Sequence, residues 1–543
     1  MPIKIQKLLL FFILILLFSN CKSVKQYNYE LSQSISVEKL HKDIDFTHRK
    51  LNRLYPNLHG YISKEKLDFK FDSIRKVVNK PMTSKEFYFV ISPVITSVRQ
   101  GHMTMSPVLP KFTKKENKRL KKAGDGPMSQ FVYEWENSKL FITQNKSANK
   151  KIELGSEVVS VNGIQPQAIY SKYKNSLVSD GFNTTYIRKS FSKRYTAFMT
   201  NEIGVNDSLK FIFKEKDSVF EQTISRFKKD NKLGAKVKTK VKAADSVKVA
   251  VKKTVDKKKL KEESKYNKIY GYNKLLNEYA KSLKFFQSDS SVAILRVKNF
   301  SEGIHKKAYK AIFDSIKKKN IKNLIIDVRD NPGGRVADAV DLYSHLTDKE
   351  FIILQPAIVT SKTSLFKLGL FRNIPKFTYP FAAAFYPFYM GFSYFRTAKN
   401  NDGTYQYKLV GSKKRAYAEN YFDGKIYVLI NGGSFSASCI LSSSLKANPN
   451  VTFVGEETGG AFNGTVAGIM PVVDLPNSKI ELRLGLMDIK TINQTNVAGR
   501  GIFPDFEIPL TVKDKVKNKD PQLDWILKDI IIKRNGHALR TTR

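Results

Sequence analysis

Cysteine is almost absent from this sequence: its 543 residues include two, Cys21 and Cys439. Such a chain cannot rest on a disulfide framework, so we expect a buried apolar core to stabilise it. The hydrophobic content of 41% and the aromatic content of 12% are those of a folded protein and not of a disordered one. Cys439 lies in a run of small residues and has no identifiable partner, so we predict that it serves packing.

Long apolar runs are absent as well. The apolar stretch near the N-terminus, residues 8–18, follows two lysines and is too short to favour a membrane-spanning helix. This arrangement indicates a bacterial export signal over residues 1–20. The residues before Cys21 resemble the lipobox of bacterial lipoproteins, which implies a lipid on Cys21 and a tether over residues 21–35. The alternative is an ordinary cleaved secretory signal with an incidental cysteine.

Acidic residues are scarce, with 49 Asp and Glu against 94 Lys and Arg and a net charge of +45. No nucleic-acid-binding motif accompanies this charge, so we predict no nucleic-acid partner. Attraction to anionic lipid or polysaccharide and a merely solvated lysine-rich surface are both open interpretations. A basic adaptor that binds through charge alone is a third. Residues 228–266 are rich in lysine and have no clear core face, which predicts a solvated, disordered insertion.

The first half of the chain predicts two domains of different kinds. Apolar residues recur at helical spacing over residues 36–115, and Thr83 followed by Glu86 is typical of a helix start. Alternating residues predict a mostly β domain over residues 116–227. Residues 155–163 resemble the strand and turn of PDZ domains, which implies binding of an extended peptide at a sheet edge.

The second half alternates strands with helices over residues 267–515, which predicts a largely parallel core with its working edge at the strand ends. An aromatic insertion over residues 351–421 is broken by prolines and a glycine, so it is not a spanning helix. It is open to three interpretations: a lid, a patch that dips into lipid, or a structural excursion particular to its family. Residues 516–543 are expected to form a C-terminal tail.

The most informative stretch is residues 424–464. It predicts a buried strand, a turn at Asn431, Gly432 and Gly433, and a tightly packed helix from Ser436 onward. A strand that turns sharply into a helix exposes a side chain beside unpaired backbone N–H groups, which is suited to holding a nucleophile. The alternative is that the serines here are small residues chosen for packing and capping.

Five motifs occur together in order, namely GHMT at 101–104, DVRDNPGG at 327–334, GGSFSASC at 432–439, VGEETGG at 454–460 and GRGIFPD at 499–505. This set resembles the C-terminal processing, or tail-specific, serine peptidase family. The resemblance implies a mixed α/β multi-domain fold. Its parts would be a Clp protease/crotonase-like catalytic core, a helical N-terminal domain and a PDZ-like β domain.

The resemblance also implies roles for individual residues. Ser436 falls on the nucleophile, and the oxyanion hole would combine the N–H of Ala437 with that of Gly333 or Gly334. The best-known branch has a lysine base 25 residues after the serine, where this chain has Ala461.

His102 is therefore the predicted general base. It resembles the histidine of the tricorn-core and interphotoreceptor retinoid-binding protein-like branch, and imidazole titrates near neutrality. The alternative is a loop histidine that caps the preceding helix. The group that orients His102 is open, and the candidates are Thr104, Glu456 and Glu457.

Together these patterns predict a serine endopeptidase that cleaves unfolded polypeptides or protein C-terminal tails in the cell envelope through an acyl-enzyme. The chain would be lipid-anchored at Cys21, facing the periplasm or lying on the outer-membrane surface, and would need no metal or cofactor. The competing prediction is an inactive lipoprotein that binds peptides or apolar ligands on the same fold. The sequence does not determine the oligomeric state.

Overall fold

The computed structural model describes residues 22–228, 257–367, 372 and 374–541. The predicted export signal, Cys21 and most of the lysine-rich insertion lie outside these residues. The helices are α1 (Val24–Ser32), α2 (Val37–Leu54), α3 (Lys64–Val77), α4 (Ser84–Thr96), α5 (Lys114–Ala123), α6 (Pro166–Tyr173), α7 (Thr185–Ile203), α8 (Lys257–Tyr270), α9 (His305–Lys318), α10 (Val336–Ser344), α11 (Tyr379–Arg396), α12 (Ala437–Lys446), α13 (Val512–Val516) and α14 (Pro521–Thr541).

The strands belong to several separate sheets. They are β1 (Thr104–Ser106), β2 (Phe131–Glu136), β3 (Lys139–Asn145), β4 (Glu157–Val161), β5 (Ser208–Glu215), β6 (Ser218–Ser225), β7 (Tyr272–Asn273), β8 (Glu278–Tyr279), β9 (Lys281–Phe285), β10 (Val292–Val297), β11 (Asn323–Asp327), β12 (Ala357–Val359), β13 (Thr397–Lys399), β14 (Tyr405–Tyr407), β15 (Lys425–Ile430), β16 (Val451–Gly455), β17 (Gly464–Ala467), β18 (Val472–Asp474), β19 (Glu481–Arg483), β20 (Met487–Lys490) and β21 (Phe506–Glu507).

The N-terminal part is helical, as its periodicity predicts, and α2, α3 and α4 bury apolar faces in one core. The predicted start of α4 is confirmed: Thr83 and Glu86 form a capping box in which each side chain bonds the other residue's backbone N–H. A buried carboxylate connects these helices to the second half of the chain. Asp43 accepts hydrogen bonds from the backbone N–H groups of Asn477 (2.9 Å) and Ser478 (2.7 Å) between β18 and β19.

Residues 131–225 contain an antiparallel sheet in the order β2-β3-β4-β5-β6. The sequence predicts a mostly β region, but the structure adds α7, a helix of 19 residues. Phe191, Tyr195 and Met199 on α7 are buried in the core of this sheet, and their spacing of four places them on one helix face. That tertiary packing stabilises a helix that the local pattern does not indicate. The likeness to PDZ domains stays a prediction.

A sheet in the order β21-β16-β15-β11-β10-β9 lies at the centre of the second half. All its pairs are parallel except β9 with β10, which confirms the predicted parallel core. Helices α9, α10 and α12 share one apolar core with one face of this sheet. The other face is covered by α14, whose Ile526 and Ile530 pack against alternate strand residues. Most of the predicted tail, residues 516–543, is therefore a helix that completes the core.

Two further segments differ from the sequence-based expectation. The end of the predicted disordered insertion belongs to α8, which is held by bonds such as that from the Tyr279 hydroxyl to Asn267 (2.7 Å). The aromatic insertion contributes β12, β13 and β14 to a sheet in the order β13-β14-β12-β20-β17, and it also forms α11. None of the helices in the described residues is long and apolar enough to cross a membrane.

Candidate active site

Ser436 occupies a strained turn between β15 and α12. Its backbone has φ 57° and ψ −119°, a region that residues with a side chain rarely adopt. Every residue from Ile426 to Leu445 is buried except Ser436, which is half-buried. The sharp turn therefore directs outward the side chain of Ser436, the predicted nucleophile.

Neighbouring polar side chains hold this turn rigid. Asn431 Oδ1 accepts hydrogen bonds from the backbone N–H groups of Gly433 and Asp330, both at 2.9 Å. Ser434 donates its hydroxyl to the Val328 carbonyl at 2.8 Å, and Ser438 donates to the Asn331 carbonyl at 3.0 Å. These two serines serve the packing role that the sequence offers as the alternative, whereas no hydrogen bond of the Ser436 hydroxyl is found in the part of the chain that the structure describes.

The turn after β11 lies directly against Ser436. A Cβ on Gly333 would come within 2.7 Å of the Ser436 Cβ and 2.8 Å of the Ala437 nitrogen, and Gly333 has φ 93°, so only glycine fits. The Gly333 N–H donates to Asn331 Oδ1 at 2.9 Å. By contrast, the N–H groups of Gly334 and Ala437 have no acceptor among the described residues. Unpaired N–H groups beside an exposed hydroxyl are the donors that an oxyanion hole requires.

Phe435 connects the turn to the loop that carries His102. Its ring centroid lies 4.9 Å from that of His102, with the planes tilted by 57°, and 4.4 Å from that of Tyr186 in a stacked arrangement. A Cβ on Gly101 would meet Phe435 Cζ at 2.5 Å, so this loop is pressed against the turn. The structure thus brings the His102 loop into contact with the residue that precedes Ser436.

The imidazole of His102 is held in its neutral form. Burial, together with the positive charge of Arg483, lowers its pKa from 6.5 to about 4. Its Nε2 atom is buried and has no hydrogen-bond partner in the described structure. Leaving a buried polar atom unpaired costs about 1–3 kcal/mol, which marks this nitrogen as available for another group.

The carboxylate of Asp180 supports the His102 loop and was not found by sequence reasoning. It is buried and accepts hydrogen bonds from the Gly101 N–H (2.7 Å), the Thr465 hydroxyl (3.2 Å) and the Ala461 N–H (3.4 Å). Burial raises its pKa from 3.8 to about 6. Asp180 therefore links Gly101, the residue before His102, to Ala461, the position at which the best-known branch of the C-terminal processing peptidases has its lysine.

The three predicted orienting residues have other partners in the described structure. Glu456 accepts from Arg188 at 2.5 Å, and Glu457 accepts from Arg500 at 2.6 and 2.9 Å. Thr104 lies on β1, where it pairs with Arg483 on β19. None of the three forms a hydrogen bond with His102 among the described residues.

Neither Cys439 nor Ala461 supplies an alternative nucleophile or base at this site. Cys439 is buried, donates to the Ser434 carbonyl at 3.3 Å, and has its pKa raised to about 12 by burial, which suits the predicted packing role. Ala461 is buried and supplies no base. In the described ranges, no group of three His, Cys, Asp or Glu side chains is placed to hold a metal ion.

Comparison with known proteins agrees with this geometry. Residues 291–508 match Peptidase family S41. The chain contains a domain of peptidase family S41. Carboxy-terminal processing protease CtpB of Bacillus subtilis (strain 168) is 27% identical over 236 residues, which are 42% of this chain and 38% of that protein. A carboxy-terminal-processing protease of Bartonella bacilliformis is 35% identical over 98 residues, 18% of this chain and 21% of that protein.

The solved structures extend the likeness in fold to nearly the whole chain. Mature CPAF matches with a TM-score of 0.54 at 15% identity, covering 88% of this chain and 94% of that one. Its complex with lactacystin matches with a TM-score of 0.57 at 15% identity, covering 91% and 98%. These matches confirm the predicted mixed α/β multi-domain fold. The family domain and the curated relatives also support assignment as a serine-type peptidase, although the chain spans less than two fifths of the length of those relatives.

Proposed function

We propose that this S41 chain is a serine endopeptidase that cleaves unfolded polypeptides or protein C-terminal tails through an acyl-enzyme. Ser436 is the nucleophile and His102 the general base. The observation that carries the proposal is the strained turn at Ser436, which exposes one hydroxyl beside the unpaired N–H of Ala437. The substrate class follows from the carboxy-terminal processing proteases that the chain resembles.

In this mechanism the Ser436 Oγ attacks the carbonyl carbon of the scissile peptide bond while His102 accepts the hydroxyl proton. The carbonyl oxygen becomes an oxyanion, which the N–H groups of Ala437 and Gly334 stabilise. We prefer Gly334 to Gly333 because the Gly333 N–H already has an acceptor. His102 then protonates the leaving amine, and water hydrolyses the acyl-enzyme by the same steps in reverse.

His102 is supported by position and by charge state. Its ring contacts Phe435, its Nε2 is buried without a partner, and its lowered pKa keeps the imidazole ready to accept a proton at neutral pH. No hydrogen bond joins His102 to Ser436 among the described residues. Catalytic hydrogen bonds in unliganded enzymes are often long and tighten only when substrate binds.

We further propose that Asp180 is a positioning residue that holds the His102 loop. Replacing Asp180 by asparagine turns one acceptor into an NH₂ group that faces a donor, so the loop should shift. We expect kcat to fall by about tenfold to a hundredfold, the effect of a displacement of about 1 Å, with little change in KM. In the parent protein, activity should also fall as the pH drops through about 6, because protonation of Asp180 removes an acceptor from the loop.

The pH dependence of kcat separates positioning from general stability. Asp180→Asn should lack the inflection near pH 6. The matched control is Asp43→Asn, which alters another buried carboxylate that accepts backbone N–H bonds. It should lower the melting temperature and leave the pH profile unchanged. An inflection near pH 6 that persists in Asp180→Asn would assign the titration to another group.

The cellular setting forms part of the proposal. The lipobox-like sequence supports a lipid at Cys21, a location in the cell envelope facing the periplasm or on the outer-membrane surface, and polypeptide substrates. We assign residues 36–115 to a helical domain, residues 116–227 to a PDZ-like domain and residues 267–515 to the catalytic core. In this proposal Thr104, Glu456 and Glu457 stay the candidates for the group that orients His102, and Asp180 supports its loop.

A serine-hydrolase activity probe tests the proposed chemistry directly. We expect a fluorophosphonate to label the purified protein, and mass spectrometry to locate the adduct on Ser436. The S41 domain and the curated relatives do not favour the competing assignment, an inactive binding protein, which would give no labelling under conditions where the protein is folded. Labelling at a serine other than Ser436 would contradict the assigned nucleophile.

A further inference from the structure

Helix α11 directs a row of phenylalanines into solvent. Phe381, Phe385, Phe388, Phe392 and Phe395 are 77%, 59%, 77%, 57% and 87% exposed. Their spacing of four, three, four and three residues places them on one face of the helix. At 1.5 Å per residue this phenylalanine stripe is about 21 Å long. A surface helix of a globular protein normally buries such a face, so the stripe needs a partner.

An adjoining face attaches α11 to the protein. The Tyr386 hydroxyl donates to the Phe366 carbonyl, and the Tyr389 hydroxyl donates to the Leu365 carbonyl at 2.8 Å. Ser393, one turn further, is 1% exposed. The tyrosines are thus directed toward the protein, where their hydroxyl groups find acceptors, and the phenylalanines are directed outward.

The segment that carries the stripe contains charged residues of one sign only. Residues 351–401 contain no Asp or Glu and six Lys or Arg. Lys362 Nζ lies 3.9 Å from the centroid of the Tyr394 ring, and the Arg396 guanidinium lies 5.1 Å from that of Phe392. An apolar aromatic face with basic side chains at its edge complements an anionic lipid surface, which offers acyl chains below its negative headgroups.

The start of the described chain lies near the segment that leads into α11. Arg372 donates to Asp474 at 2.8 Å and also to Glu481. Burial and the charges of the same two carboxylates raise the pKa of Tyr27, which lies on α1 five residues after Lys22. Helix α1 therefore lies near the two carboxylates that hold Arg372, on the approach to α11.

We propose that α11 lies in the surface of an anionic lipid bilayer with its phenylalanine stripe in the acyl-chain boundary. This contact goes beyond the proposed peptidase activity and does not depend on it. It also does not require a lipid on Cys21, although such a lipid would add a second membrane attachment. A single weak attachment is reversible, and two attachments in one plane give stable membrane binding.

Vesicle flotation of the full chain tests this proposal. All proteins carry Cys21→Ser, so that no acyl chain at that position contributes. We expect binding to vesicles of phosphatidylcholine mixed equally with phosphatidylglycerol, and much weaker binding to phosphatidylcholine alone. Replacing Phe385, Phe388 and Phe392 by serine should weaken binding by about tenfold to a hundredfold, because three apolar side chains no longer enter the acyl region.

A matched pair of single variants controls for exposed apolar area. Phe388→Ser should reduce binding, whereas Phe69→Ser, which removes a phenylalanine that is 72% exposed on α3, should not. Melting temperatures should stay unchanged, since all these rings are exposed. The proposal is overturned if the triple variant floats like its parent. It is also overturned if the parent binds neither vesicle and forms a dimer that the triple variant abolishes, because a second copy would then cover the stripe.

Discussion

Replacing Ser436 by alanine should abolish cleavage of a broad peptide library, with a loss in kcat of about ten-thousandfold or more. The substitution removes the attacking oxygen, and the remaining N–H donors bind the substrate without forming a bond to it. The melting temperature should change little, because the Ser436 hydroxyl has no hydrogen-bond partner in the described structure and the residue is half-buried. Steady-state kinetics and calorimetry on the same preparation provide both measurements.

Ser442→Ala is the control for this result. Ser442 lies on α12, which begins directly after Ser436. It is fully buried, and its hydroxyl has no partner within the described structure. Removing that hydroxyl should preserve activity and leave stability equal or slightly higher, because an unsatisfied buried group is lost. Full activity of Ser436→Ala would contradict the assignment of Ser436 as the nucleophile, regardless of the result for Ser442→Ala.

Ser436→Gly gives an independent measure of the strain at this position. Glycine adopts positive φ without steric cost, so this variant should be inactive and yet about 1 kcal/mol more stable than the parent. A gain in stability with complete loss of activity is the result expected where a fold keeps an unfavourable backbone conformation for function. If Ser436→Gly is instead less stable than Ser436→Ala, the turn is not strained in this way.

The strand, turn and helix around Ser436 could be predicted because their signals are local. A run of apolar branched residues ending at Ile430 has to be buried, and the glycines after it break any regular structure. The parallel order of the central sheet followed from alternation of strands and helices in the same way. The local pattern did not predict α7, because packing against the β2–β6 sheet stabilises its buried face. It did not predict α14 either, because that helix covers a sheet whose strands lie far away in the sequence.

Asp180 could not be identified from the sequence. Its three donors come from positions 79 to 285 residues away along the chain, and nothing local distinguishes it from other aspartates in turns. The sequence-based prediction instead chose the two acids of the VGEETGG motif, yet Glu456 and Glu457 are bonded to arginines. The role of a buried carboxylate can be inferred from the groups that donate hydrogen bonds to it, and those groups are brought together only by the fold.

The stripe on α11 shows a different limit. The sequence predicts an aromatic segment interrupted by proline, and Pro387 does lie inside the helix. The face of α11 that points outward is set by the tyrosine hydroxyls and their carbonyl acceptors in another segment. The composition alone therefore leaves three interpretations equally open: a lid, a contact with lipid, or a structural excursion particular to the family. The structure favours lipid contact because the apolar face is the exposed one.

Replacing His102 by alanine should reduce kcat about as severely as Ser436→Ala, because the serine hydroxyl then has no proton acceptor. His345→Ala is a closely matched control. His345 also has an unpartnered buried nitrogen, a lowered pKa and a phenylalanine against its ring, with centroids 4.6 Å apart. It lies in the core between α9 and α10, so its loss should lower stability and preserve activity. Normal cleavage by His102→Ala would place the base elsewhere.

The pH dependence of kcat/KM tests the same assignment without removing the imidazole. A base acts in its unprotonated form, so the activity that remains below the inflection near pH 6 assigned to Asp180 should fall by half again near the His102 pKa of about 4. Burial and Arg483 both lower this pKa. Arg483→Gln removes the positive charge and should therefore move that low-pH limb upward, while Arg119→Gln, which alters an exposed arginine paired with Asp207, should not. An acid limb that is identical in both variants would show that the titrating group is not the imidazole beside Arg483.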